Sequence, residues 1–497
     1  MNRPVSPLHL GLAAGLALAL AAPAEAQRRL GSLEFEPCTL KAPLSVLNVE
    51  AYCTRFEVPE DPTDPQGRQI ELAVAWVPTE NTAGPEDPVF MLAGGPGQSA
   101  LESYPGIHGA FREIRKNRHV ILVDQRGTGE SNRLVCRDAE GGSAVLDAAA
   151  AEDPGTWRAF AERCRDELAP RADLRLYTTS EAVADLDAVR EAIGVQQINL
   201  LGVSYGTRVA QQYMRRYPER ARRVVLDSVV PNTLALGGEH ARNLEDALAL
   251  HFAQCGEVAA CRERLGAPRQ NLDALLAELR AQPRPVRFRD PLSGEEVERD
   301  FTVGHVAAVA RMYSYAPALA ALLPLSLHEA VQGRAGPLMA QAEMITSSLS
   351  EQIMHGMQLS VICAEDLPRM RPDPADGARL LGDMMLQVLQ AQCAVWPTGT
   401  APADFAEPLR SDVPTLLLSG EFDPVTPPRY GDEVAAGLSD ARHLVLRGQG
   451  HSIAGAGCMP RILGDFFGGT APDALDVDCL DTLKPAPPFA GFHGWEP

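Results

Sequence analysis

Asn199-Leu200-Leu201-Gly202-Val203-Ser204-Tyr205-Gly206-Thr207 carries a short apolar run into a helix-forming segment through a Gly-x-Ser-x-Gly pentapeptide. The pattern predicts a strand, a sharp turn and a helix, with the Ser204 hydroxyl held exposed above a sheet. Glycine is needed at 202 and 206 because the strand and helix backbones approach so closely there that a Cβ would clash.

The stretches on either side repeat the strand-then-helix alternation. Pro88-Val89-Phe90-Met91-Leu92 and His119-Val120-Ile121-Leu122-Val123 are wholly apolar runs, as expected of strands buried on both faces. The first leads into Ala93-Gly94-Gly95-Pro96-Gly97, the second into Asp124-Gln125-Arg126-Gly127-Thr128-Gly129-Glu130-Ser131. Upstream, 55–58 and 69–76 read as a hairpin around the turn at 61–67. A helix is expected from Ser180 to Ile193, stopped by Gly194. Another follows the pentapeptide and ends at Pro218, before the strand Arg223–Asp227.

The alternation lapses between 231 and 410, where 244–252, 272–279 and 306–323 look helical. It resumes with a strand at 414–418, a helix at 430–438, a strand at 443–446 and a last helix at 460–467. The expectation is an α/β fold: a mostly parallel central sheet covered on both faces, with an inserted helical cap. In chain order the parts are a leader at 1–26, core at 27–230, cap at 231–410 and core again at 411–497.

The chain has 497 residues and a formal net charge of −20, from 65 acidic against 45 basic residues. That balance argues against nucleic acid or an anionic membrane surface as a partner, since both need a basic face. Arg3, the Leu/Ala-rich run from Leu8 to Ala22 and Ala24-Glu25-Ala26 read as a secretory signal peptide cut after Ala26. The apolar run is shorter than the roughly 20 residues a spanning helix needs, so no membrane attachment is expected after cleavage. Ten cysteines, all beyond this leader, fit a disulfide set in an exported chain, and sequential pairing gives five short loops. Periplasm and extracellular space are equally compatible. No Cys/His cluster suggests a metal site, and no Gly-Lys-Ser/Thr follows the glycine-rich loop to cradle a phosphate. No cofactor is implied.

A serine hydroxyl is a weak nucleophile and needs an adjacent base, itself oriented by a carboxylate. Two later strand ends offer such partners: Asp423 in Ser419-Gly420-Glu421-Phe422-Asp423-Pro424, and His451 in Gln449-Gly450-His451-Ser452. Glu421 is the fallback acid, and Asp227 ends a strand in an unsuitable slot. Two main-chain N–H donors would stabilise a developing oxyanion. Tyr205, next after Ser204, supplies one, and Gly95 in the glycine-rich loop is the expected second. The 124–131 stretch is expected to be structural, holding neighbouring loops in place.

The order Ser, Asp, His at successive strand ends resembles the α/β-hydrolase fold. Gly-Gly-Pro-Gly at 94–97, Asp-Gln-Arg-Gly-x-Gly-x-Ser at 124–131, Gly-Val-Ser-Tyr-Gly-Thr at 202–207, Gly-x-x-Asp-x-x-Thr-Pro at 420–427 and Gly-His at 450–451 resemble the proline iminopeptidase and tripeptidyl aminopeptidase family. The exported, cysteine-bearing form is more similar to the secreted tripeptidyl branch. The resemblance implies Ser204 as nucleophile, Asp423 as orienting acid and His451 as general base. One departure is Ala93, where many members carry histidine. The implied activity is release of short peptides or residues from a free N-terminus through an acyl-enzyme, with Glu365 and Asp366 as candidates for binding the substrate ammonium. An ester hydrolase using the same triad is the alternative, and a non-catalytic binding protein of the same fold is a more distant one. Dehalogenase and epoxide hydrolase chemistries are disfavoured, since they normally need Asp at 204.

Overall fold

The computed structural model describes residues 27–43, 45–81, 87–136 and 153–494. The leader at 1–26 lies outside the described residues. Twelve strands are present among those described: β1 (Arg28–Leu30), β2 (Leu33–Lys41), β3 (Asn48–Pro59), β4 (Gln69–Val77), β5 (Val89–Leu92), β6 (Val120–Val123), β7 (Ile198–Val203), β8 (Ala221–Asp227), β9 (Arg284–Arg289), β10 (Glu296–Phe301), β11 (Thr415–Gly420) and β12 (Ala441–Leu446). Ten of them form one sheet in the order β1-β2-β3-β4-β6-β5-β7-β8-β11-β12. Every pairing from β6 to β12 is parallel, and those from β1 through β4 to β6 are antiparallel. The strands expected at 55–58 and 69–76 pair as the hairpin β3–β4.

The sheet is mostly parallel because each central strand returns through a helix, and helices then cover both faces. All four residues of β5 and of β6 are buried, which accounts for their unbroken apolar sequences. On one face Leu200, Val209, Tyr213 and Leu186 belong to a core shared with helices Tyr205–Arg216 and Thr179–Ala192. On the other, Met91, Leu122, Leu201 and Leu418 pack with Tyr104, Ile462 and Phe466 of helices Ala100–Ile107 and Met459–Gly468.

Between β8 and β11 a third core, with Leu248, Leu275, Val309 and Leu327 among its members, joins helices His240–Glu257, Pro268–Ala281, Val303–Tyr313 and Leu323–Val331. The structure adds to these helices the antiparallel hairpin β9–β10. The alternation of Val286 and Phe288 with Arg287 and Arg289 is a strand signal, but the run is only six residues long and opens on Arg284-Pro285. The helix expected over 306–323 is also broken. Helix Val303–Tyr313 stops, Ser314 caps it, and Pro317 opens a new turn, so Tyr315 sits in the break. Proline suits a first helical position, where its missing N–H costs nothing.

All ten cysteines are bridged in sequential pairs: 38–53, 136–164, 255–261, 363–393 and 458–479. Among the described residues no helix is long and apolar enough to cross a membrane.

Candidate active site

Ser204 stands between β7 and helix Tyr205–Arg216 with φ of 56° and ψ of −123°. A left-handed φ costs an L-residue about 1–2 kcal/mol, and the surroundings enforce it. The Ser204 amide donates to the Asp227 carbonyl of β8 at 2.9 Å. A Cβ on Gly202 would fall 2.4 Å from the Gly206 carbonyl oxygen, and one on Gly206 would fall 2.2 Å from that of Leu92. Both glycines are therefore fixed by contact between β7, β5 and the helix. Among the described residues the Ser204 hydroxyl makes no hydrogen bond, so it is free to turn toward a base.

His451 follows β12 and is oriented from several sides. Its Nδ1 lies 2.8 Å from Asp423 Oδ2. Its backbone amide donates to the Tyr315 carbonyl at 2.8 Å, and the two rings meet edge to face at 4.9 Å. The break in the 306–323 helix is what brings Tyr315 there. Asp423 accepts from the amides of Val425 and Thr426 at Oδ1 and from the Thr426 hydroxyl at Oδ2. Burial by itself would raise the Asp423 pKa; the His451 imidazole and the Thr426 donors reverse this and hold it below the usual carboxylate range. Burial likewise opposes protonation of His451, but the charge and hydrogen bond of Asp423, with Asp227 behind, raise it above the ordinary histidine value. The pair is thus built to stabilise an imidazolium.

The expected second oxyanion donor lies beside the serine. A Cβ on Gly94 would meet Ser204 Cβ at 3.1 Å, and Gly95 has φ of 106°. Neither the Gly95 amide nor the Tyr205 amide donates to a protein acceptor among the described residues. Such unengaged, fixed N–H groups are what an oxyanion needs. The loop is fastened at Gly97, whose carbonyl accepts from the Met354 amide at 2.8 Å.

The 124–131 stretch plays its expected part. Asp124 accepts from Ser99 Oγ at 2.6 Å and from the amides of Leu101 and Glu130, tying helix Ala100–Ile107 to the end of β6. Arg126 is fully buried in a two-pronged pair with Asp185, both bonds 2.7 Å. Glu421, the fallback acid, accepts from the Gly448 amide at 2.7 Å and leaves His451 to Asp423.

Sequence reasoning passed over Asp227. Its carboxylate accepts from the amides of Ile453 and Ala454, both at 2.9 Å, and neighbouring Ser228 Oγ accepts from the Ser452 amide at 2.8 Å. Since its carbonyl holds the Ser204 amide, this one residue sets the serine turn and the histidine loop relative to each other. Ser228 and Ser452 share the positive φ of Ser204, at 62° and 63°. Three such conformations in one place are strain kept by the surrounding contacts. The signal in the sequence was a buried strand ending in Asp-Ser, which does not reveal what the carboxylate faces.

Glu365 and Asp366 require a correction. They lie in a π turn, Ile362–Asp366, that directs both carboxylates inward. Glu365 accepts from the Thr179 amide and hydroxyl, each at 2.7 Å, and that hydroxyl lies 2.6 Å from the Tyr205 phenol oxygen. Asp366 pairs with buried Arg208 at 2.8 Å. Neither lines the cavity above Ser204, so neither is placed to meet a substrate ammonium. Burial first, and the charge of Asp366 second, push the Glu365 pKa up to about 8 from an ordinary 4.5. The folded chain therefore keeps this proton between pH 4.5 and 8 while the unfolded chain loses it, so stability falls as pH rises through that window and levels off above it. Glu365→Gln fixes the neutral form. Its melting temperature is expected to gain on the wild type by a few °C between pH 5 and pH 8; a constant difference across that range would contradict the assignment.

Ser204 and His451 open onto a cavity of about 1230 Å³ between the C-terminal ends of the strands and the segment joining β8 to β11. Its walls are largely apolar, with Met91, Leu236, Met312 and Leu359 among them. Among the described residues the carboxylates lining it are Glu102 and Asp383. Ser204, the oriented imidazole of His451 and Gly95 together border this largely apolar cavity, an arrangement that can carry out acyl transfer.

Two family models match this chain: an alpha/beta hydrolase fold over residues 87–260 and a TAP-like protein over residues 378–479. Serine protease Hip1 of Mycobacterium tuberculosis is 27% identical over 493 residues, covering 90% of this chain and 91% of that one. The tripeptidyl aminopeptidase of Streptomyces lividans is 31% identical over 195 residues, or 36% of this chain and 35% of its own. The proline iminopeptidase of Neisseria gonorrhoeae is 27% identical over 158 residues, 31% of this chain and 36% of its own. With the sheet order, the Gly-x-Ser-x-Gly turn and these likenesses together, the chain is a serine peptidase of the α/β-hydrolase superfamily.

Proposed function

We propose that the chain is an exported aminopeptidase that releases residues or short peptides from free N-termini through an acyl-enzyme on Ser204. The observation that carries the reading is the shared cavity of Ser204 and His451, with the imidazole held 2.8 Å from buried Asp423. In this mechanism Ser204 Oγ attacks the scissile carbonyl and His451 takes its proton. The amides of Gly95 and Tyr205 receive the oxyanion. His451 then gives the proton to the leaving amine, and a water molecule, activated in the same way, releases the acyl group. Asp423 fixes the tautomer and stabilises the imidazolium.

Residues 231–410 serve as a cap that admits short, unfolded peptides, inserted between the core parts 27–230 and 411–497. The names of the tripeptidyl aminopeptidase and proline iminopeptidase relatives support action at the N-terminus. With Glu365 and Asp366 occupied elsewhere, Asp383 in the cavity wall is the candidate to meet a substrate ammonium. Export, into the periplasm or beyond, is supported by the leader pattern and the five disulfides. A panel of peptides with free and acetylated N-termini, resolved by mass spectrometry, tests the reading. Cleavage near the N-terminus of the free peptides and sparing of the acetylated ones is expected. Equal cleavage of both, or turnover of acyl esters alone, rejects it.

A further inference from the structure

The cavity contains a cation that the proposed mechanism leaves unused. Arg311 occupies the last turn of helix Val303–Tyr313 and lines the same space as Ser204 and His451. It is half-buried, and among the described residues it pairs with no carboxylate. Its side chain reaches the hydroxyl of Tyr315, whose ring covers His451. His240 lines the cavity beside it and is held neutral, its pKa pushed down to about 3 by burial first and then by the charges of Arg311 and His451. The other arginine in the wall, Arg280, is exposed and donates to the Arg379 carbonyl at 3.0 Å. Asp423, the anion nearest the imidazole, is already engaged by His451, Val425 and Thr426.

A half-buried guanidinium in a largely apolar cavity is open to an anion that a ligand brings to it. Its planar fork matches a carboxylate. Its place also defines which part of the substrate it meets. His451 must deliver its proton to the leaving nitrogen, so the groups gathered around the imidazole border the leaving-group half of the cavity.

We infer that Arg311, with the Tyr315 hydroxyl, forms a carboxylate-binding subsite for the leaving group, so that the favoured substrates present a negative charge just beyond the scissile bond. The inference rests on the peptidase reading of Ser204 and specifies its substrate class. Two sources share this chemistry: the C-terminal carboxylate of a peptide ending one residue past the cleaved bond, or an acidic side chain at that residue. A carboxylate held by paired charge-assisted hydrogen bonds is expected to favour such substrates by about 10- to 100-fold in kcat/KM.

Three peptides with a common free N-terminal part and different leaving residues test it: alanine with a free carboxylate, alanine amide and aspartic acid α-amide. For the wild type, a preference for alanine over alanine amide supports the subsite and identifies the terminal carboxylate as a ligand. A preference for aspartic acid α-amide over alanine amide supports it through the side chain. Equal kcat/KM for all three overturns the inference and leaves the aminopeptidase reading standing. Turnover of acyl esters with no cleavage of any of the three overturns both. In Arg311→Gln the preference is expected to collapse, mainly through KM, and Arg311→Lys to restore part of it. Undiminished preference in an Arg311→Gln protein that still reacts with a fluorophosphonate at Ser204 also overturns the inference. The wild-type ratios decide the question even if the glutamine variant fails to fold.

Discussion

Replacing Ser204 with alanine is expected to lower kcat on peptide substrates by about 10⁶-fold, leaving only the contribution of binding and the oxyanion donors. The fold should survive the change. The Ser204 hydroxyl makes no hydrogen bond among the described residues, and alanine meets the same left-handed backbone that serine does. The turn is held by the Asp227 carbonyl and by the contacts at Gly202 and Gly206, none of which involves the hydroxyl. Hydrolysis rates, the mass of a fluorophosphonate adduct and the melting temperature are the three measurements. Wild type should gain one adduct at Ser204 and the variant none, with similar melting temperatures. An alanine variant that retains turnover within tenfold of the wild type would remove Ser204 from the mechanism.

Asp423→Asn should cost about 10⁴-fold in kcat while preserving the shape of the site. The reason lies in which oxygen faces which donor. Oδ1 accepts from the amides of Val425 and Thr426, both at 2.8 Å, so the asparagine carbonyl must occupy that position. The amide nitrogen is then forced into the place of Oδ2 and donates to His451 Nδ1. That hydrogen bond fixes the proton on Nε2, where it points toward Ser204 and prevents the imidazole from acting as a base. The pH profile gives a second readout. Asp423 raises the His451 pKa, and activity of the wild type should rise with pH as that imidazole loses its proton. Without the carboxylate charge, the residual activity of the variant should begin its rise at lower pH. A variant with wild-type kcat, or with an unmoved acid limb, would show that Asp423 does not orient the base.

Most of what determines the chemistry was local enough to be read from the chain. The pentapeptide at 202–206 specifies its own geometry, because two glycines at that spacing are required wherever strand and helix backbones touch. Asp423 and His451 were identifiable because a parallel sheet places the ends of its strands along one edge, so residues following β11 and β12 come near those following β7. The buried strands were recognisable for a similarly simple reason: continuous apolar runs mark burial on both faces. Sequential cysteine pairing was legible too, each bridge closing a short stretch of chain.

The sequence could not say which way a side chain points once it is tied to something distant along the chain. Glu365 read as a candidate for the substrate because it sits in a segment that covers the site, yet a π turn directs it to Thr179, 186 positions away. Asp227 read as misplaced for catalysis, and only the packed structure shows its carboxylate holding the loop that carries His451. Tyr315 lay inside what resembled one long helix, until the break before Pro317 set it against the imidazole. Sequence by itself marked the candidate nucleophile, its candidate partners and the central strands of the sheet, since spacing and strand order are properties of the chain. The tertiary structure alone decided what surrounds them, because burial and charge pairing depend on which distant elements meet.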